Sequence, residues 1–110
     1  MLSLILLVST QVAAPVTPPC SVRNRPVANA LRAMPPSIQQ ALAHRMADRG
    51  QAFNRTDVIT PGRERLPFLR LICGYATPTG YVVEREQGGR GYNIGAIRFT
   101  KVGARYIESK

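Results

Sequence analysis

Four groupings of side chains in this chain have the types and spacing to do chemistry. His44 and Asp48 stand four residues apart, on one face of a predicted helix. A carboxylate there can orient an imidazole, which is how acid–base sites hold a histidine ready for proton transfer. Glu84 and Glu86 lie two apart in a predicted strand, hence on one face, and paired carboxylates can serve a glycosidase or hold a metal. The stretch "EQGGRGYNIG", residues 86–95, packs four glycines and an arginine into ten residues, as a phosphate-holding loop would. Cys20 and Cys73 complete the set.

Each grouping has a plainer reading. His44 is the single histidine, and no nucleophile is placed beside it, so the ordinary outcome is a surface pair with Asp48. His44 and Asp48 remain the only acid–base candidates. Glycosidase carboxylates flank the scissile bond from opposite sides, which neighbours on one strand do not; Glu84 and Glu86 are expected on a solvent face near Arg85 and Arg98. Gly89, Gly91 and Gly95 space as G-x-G-x-x-x-G, one residue too long for a dinucleotide loop. Their flanks read as strands on both sides, whereas that loop leads into a helix. No Lys-Ser or Lys-Thr follows, so a Walker loop is excluded. A hairpin loop of about five residues is expected instead, with glycines supplying positive φ and Arg90 at its tip. Gly95 is expected at a bulge or beneath an aromatic ring. One histidine and two cysteines make too small a set for zinc, so neither a metal nor a small-molecule cofactor is expected.

The two cysteines are read with the start of the chain. The first 22 residues carry no charge and open with a short apolar run, Met1–Val8, followed by small residues and by prolines at 15, 18 and 19. Residues 1–14 therefore read as a secretory signal, or as an N-terminal anchor; the run is too short for a bilayer span of about 20 residues. An exported, periplasmic or extracellular location is expected. In an oxidising compartment an even cysteine count predicts a Cys20–Cys73 disulfide, with two unrelated free thiols as the alternative.

The 110 residues hold thirteen Arg and two Lys against six acids, a net charge of +9. That balance favours an acidic envelope protein or a polyanion as partner. The charges are spread along the chain, with Arg85, Arg90, Arg98 and Lys101 as the candidate contact residues. Oligomeric state is not legible.

These residues need elements to position them. Residues 15–25 read as a Pro-rich linker, and residues 26–110 as one small domain. Val27, Ala30, Leu31 and Met34 follow helical spacing, and Pro35-Pro36 ends that helix. Ser37 to Gln40 fits a capping box, Ile38, Ala41, Leu42 and Met46 form a stripe, and Gly50 suits the position after the last turn; this predicts a helix over 37–49. Residues 51–66 show no period, though Val58-Ile59 could plug into the core, and Asn54-Arg-Thr56 matches a glycosylation sequon. Strands are predicted at Phe68–Tyr75, Tyr81–Glu86, Tyr92–Thr100 and 104–108. The expected fold is α+β: two short N-terminal helices packed on a three- to four-stranded antiparallel meander.

The pieces Gly50-Gln-Ala-Phe-Asn54, Thr56-Asp-Val58 and Glu86-Gln-Gly-Gly-Arg-Gly91 resemble small exported bacterial proteins of unknown function, over roughly residues 37–100. That resemblance implies no activity and carries over no residue. The expected function is a non-enzymatic, exported cell-envelope binding module, with a polyanion binder, a small hydrolase or an inhibitor as alternatives.

Overall fold

A computed structural model describes residues 16–110; the expected signal segment lies outside them. Five strands form one sheet in sequence order: β1 (Met46–Ala47), β2 (Leu69–Thr77), β3 (Gly80–Gln87), β4 (Asn93–Val102) and β5 (Arg105–Glu108). From β2 onward the pairing is antiparallel, through tight connections, while β1 joins the other edge of β2 in parallel. Among the described residues, helical structure is limited to one 3-10 turn, Leu31–Ala33, and one helix, α1 (Pro36–Leu42).

The expectation of two helices on a three- to four-stranded antiparallel meander is therefore overturned. Strands dominate, and the sheet is mixed. Backbone pairing removed the first predicted helix: Ala28 exchanges both of its backbone hydrogen bonds with Gly74, at 2.7 and 2.9 Å, and only three residues beyond it turn. The second helix starts on Pro36, whose missing N–H is no loss in a first turn. Ser37 does not cap it; its hydroxyl accepts from the Tyr106 amide at 3.0 Å. The helix stops at Leu42 because Ala43 is extended (ψ 135) and His44 takes a left-handed φ of 65°. Met46 then buries its side chain from a strand rather than from the next helical turn. A residue four after Leu42 reaches the core either way, so the spacing alone did not separate the two.

The sheet has two unlike faces. The register sets Gly74, Val83 and Ile97 side by side, and likewise Tyr81 and Phe99. With Leu71 these form the helix face, closed by Met34, Ile38 and Leu42 into an apolar core. Tyr106 meets Tyr81 edge-on there, ring centroids 5.7 Å apart, and Arg45 ties the end of α1 to Glu108 of β5 at 2.8 Å.

The second face carries Arg70, Cys73, Tyr75, Val82, Glu84 and Glu86. Arg70 and Cys73 are three apart yet share this face, because the register shifts between Leu71 and Cys73 and leaves Ile72 as the extra residue of a bulge. The Ile72 carbonyl accepts from the Arg49 guanidinium at 2.7 Å. Two irregular segments cover this face over β2 and β3. One is the 16–28 strap, bonded by the Cys20–Cys73 disulfide. The other is the 50–68 loop. Beyond β3 neither reaches, and Ile94, Val102 and Ile107 are more than half exposed.

The disulfide joins residues 53 apart in a domain with a small core, so it constrains a long loop of the unfolded chain. Replacing both cysteines by serine is expected to cost about 4 kcal/mol or somewhat less, measured by urea unfolding of the oxidised parent and the variant. A mass spectrum of the parent should show no free thiol.

Candidate functional site

The candidate site is the second face of the sheet, built around the two carboxylates of β3. Both were expected in solvent, and both are buried: Glu84 is 8 % exposed and Glu86 2 %. Alternation of charged and apolar residues along β3 is what a half-solvated strand shows. The cover here comes from segments distant in sequence, which that signal does not contain.

Glu86 lies opposite Arg70 in the β2–β3 register. Arg70 grips it with two prongs, Nε to Oε2 at 2.5 Å and Nη2 to Oε1 at 3.1 Å. The Tyr92 hydroxyl donates to the same Oε1 at 2.7 Å. The Arg70 guanidinium also stacks on the Phe53 ring, 4.4 Å from its centroid, and donates to the Gln51 carbonyl at 3.3 Å. A planar fork that fits a carboxylate and lies flat on a ring suits arginine alone among the cations. The pair thus ties the long loop to the sheet.

The glycine hairpin is wedged against the same loop. Five residues, 88–92, connect β3 to β4, as the hairpin reading expects, and Gly89 and Gly91 have φ of 97° and 88°. Gly88 is needed for closeness instead. A Cβ there would fall 2.0 Å from the Asn54 carbonyl oxygen. The Gly88 amide donates to Phe68 and the Gly89 amide to Arg55. Arg55 lies 4.3 Å over the Tyr92 ring. Asn54 is 5 % exposed, and its amide donates to the Arg63 and Leu66 carbonyls. The sequon asparagine is thus a structural clamp with its nitrogen committed. Val58 and Ile59, by contrast, are exposed and plug nothing.

Glu84 anchors the strap. It accepts from the Ser21 amide at 3.0 Å and from the Ser21 hydroxyl, and from the Tyr75 hydroxyl at 2.8 Å. Arg25 sits 5.4 Å over the Tyr75 ring. Burial alone pushes the Glu84 carboxyl up, but the donors from Ser21 and Tyr75 outweigh it and hold it below the usual carboxylate range. Burial and the facing carboxylate push the Tyr75 hydroxyl up. Cys20, Cys73 and Glu84 bring two sulfurs and a carboxylate within 4.8 Å of one another. The sulfurs are bonded to each other, so the trio is no metal ligand set.

The remaining sequence candidates do not converge. His44 and Asp48 share no helix face, because α1 ends before either; Asp48 instead accepts from the Leu31 and Arg49 amides at 3.0 and 2.8 Å. His44 lines an open hollow of about 410 Å³ with Gln51 and Arg65. Arg98 lies on the open face, while Arg85 and Lys101 have the parity of the helix face. Arg90 is exposed in the hairpin loop. Gly95 lies beneath the Arg85 guanidinium, about 3.0 Å from where its Cβ would be, rather than beneath an aromatic ring. Next to the strap, Tyr75, Val82, Glu84, Ile94, Ala96 and Arg98 line a shallow hollow of about 300 Å³. It opens onto the uncovered half of the sheet.

Comparison of the chain with protein-family models, with curated proteins and with solved structures finds no match. Both central carboxylates are committed to holding cover segments in place, and the surface they leave open mixes apolar Ile94, Ala96, Val102 and Ile107 with Arg98 and Thr100.

Arg70→Met alone should cost about 3–5 kcal/mol, since it leaves a buried carboxylate without its cation. The double change Arg70→Met with Glu86→Leu should cost clearly less than the single one, in urea unfolding of all three proteins. Glu84 gives a pH signature. Its folded pKa lies below the unfolded value, so its contribution is complete above the unfolded value and is lost as pH falls through the folded one. Unfolding free energy should therefore drop below about pH 4.3, and more gently in Glu84→Gln, whose side chain does not titrate. Equal acid slopes for the two proteins would contradict this assignment.

Proposed function

We propose that this chain is a non-enzymatic, exported binding module of the cell envelope, whose contact surface is the uncovered half of the sheet together with the glycine hairpin. The observation that carries the reading is the asymmetry of one sheet face. Over β2 and β3 it is sealed by the strap and the long loop, and over β4 and β5 it presents Ile94, Val102 and Ile107 to solvent. Single exposed apolar residues are ordinary, but here Val102 and Ile107 neighbour each other across β4 and β5, and Ile94 and Ala96 continue the same face beyond Thr100 and Arg98, a mixture of apolar and polar groups that suits a protein contact. Export accounts for the disulfide and for the uncharged apolar start of the chain. The proposed partner is acidic, to match the net charge of +9. The polyanion alternative is less well supported: Arg98 lies on one face of the sheet and Arg85 and Lys101 on the other, so these residues form no single dense basic surface.

A photoreactive amino acid at Ile107, on the open face, tests the proposal in the native envelope. The same group at Val58, in the exposed loop, is the control. A discrete adduct from Ile107 and none from Val58 is expected. Equal labelling from both positions would remove the support, and so would turnover of a small-molecule library by the purified protein that is lost in His44→Ala.

A further inference from the structure

The outer edge of β4 is only half used. β5 pairs with Phe99–Val102, and the last link is the Ser109 amide donating to the Arg98 carbonyl at 2.8 Å. Antiparallel pairing alternates, so residues two apart on a strand turn their N–H and C=O to the same side. Arg98, Thr100 and Val102 face β5, and Lys101 faces the other way, donating to Thr79 at 3.0 Å. By that alternation the N–H and C=O groups of Ile94 and Ala96 point outward. Among the described residues no strand pairs with this edge over residues 93–97. Ile94 is 55 % exposed, and Ala96 is exposed too.

Natural sheets blunt such edges with charge, proline or a bulge. The stretch Asn93-Ile-Gly-Ala-Ile97 has none of these. Its charges flank it instead. On the helix face Arg85 lies over Gly95 and donates to the Asn93 side chain at 2.6 Å; among the described residues no carboxylate pairs with it. On the open face Arg98 is exposed, directly beyond Ala96.

The geometry points to β4 as a strand-addition site for an acidic, extended segment of a partner protein. This rests on the binding-module reading and names the partner's chemistry. The register fixes its pattern. Residues opposite Ile94 and Ala96 would place apolar side chains on the open face, and the residue opposite Gly95 would place a carboxylate beside the Arg85 guanidinium. Main-chain hydrogen bonds would supply affinity and the alternating side chains selectivity. A second copy fits less well: antiparallel self-pairing centred on Gly95 would bring two Arg85 guanidiniums together, and like charges directly opposed destabilise a sheet.

The test uses the full oxidised chain and a labelled peptide alternating valine and glutamate. Binding should come with slowed hydrogen exchange at the Ile94 and Ala96 amides. N-methylation of the peptide along its pairing edge, which leaves the protein untouched, should weaken binding about tenfold or more. The matching valine–lysine peptide should bind at least as poorly, and Arg85→Gln should erase the preference for glutamate. Binding without protection at Ile94 and Ala96 would overturn the edge assignment. So would protection that rises with protein concentration in the absence of peptide, which would mean a second copy, or protection already complete in the dilute free chain, which would mean a cover from its own first residues. No binding by the valine–glutamate peptide overturns the inference as well. A discrete Ile107 adduct would in that case still stand for the module, because Ile107 pairs beyond this edge.

Discussion

Between β2 and β3 a guanidinium and a carboxylate meet with both side chains shut away from solvent. Neither tolerates that position alone, since the desolvation of an ion is offset only by a well-formed partner. Much of the irregular structure is arranged to supply the remaining partners: the Phe53 ring beneath Arg70, the Gln51 carbonyl and the Tyr92 hydroxyl. Through these groups one ion pair organises three things at once. It fixes the register of the central strands, seats a loop that has no secondary structure of its own, and sets the height at which the glycine hairpin leaves the sheet. Glu84 repeats the device two residues away with hydroxyl and amide donors from the strap in place of an arginine.

The β half was largely legible in the sequence because its signals are local. An apolar run in β2, alternation along β3 and glycines between two strand-like flanks placed β2 to β4 within one or two residues of their observed bounds. The helical half was not. Ala28 falls within the first predicted helix and Met46 in the apolar stripe of the second, but both are claimed by β2, a strand that lies well downstream. A helix of seven residues then remains where thirteen were expected, and local preference yields to backbone pairing that spacing does not encode. The burial of Glu84 and Glu86 was hidden for a related reason. Charges at alternate positions announce water, unless something distant arrives to replace it.

That replacement is also what divides the surface. A strap and a loop are a thin cover, and they occupy only the side of the sheet where polar anchors await them. The far strands carry no anchor of that kind. Ile94, Ala96, Val102 and Ile107 therefore stay outside, with Arg98 among them. The same uneven distribution of polar groups thus accounts for the sealed half and for the half offered to a partner.

The bulge at Ile72 reconciles two demands that a regular strand would set against each other. In an unbulged strand, residues three apart point to opposite faces. Arg70 could then meet Glu86 only while Cys73 turned toward the apolar core, out of reach of Cys20. The one extra residue lets the ion pair and the disulfide be satisfied together. The covalent link and the ion pair are thus compatible only in a bulged β2, and deleting the extra residue would set one against the other.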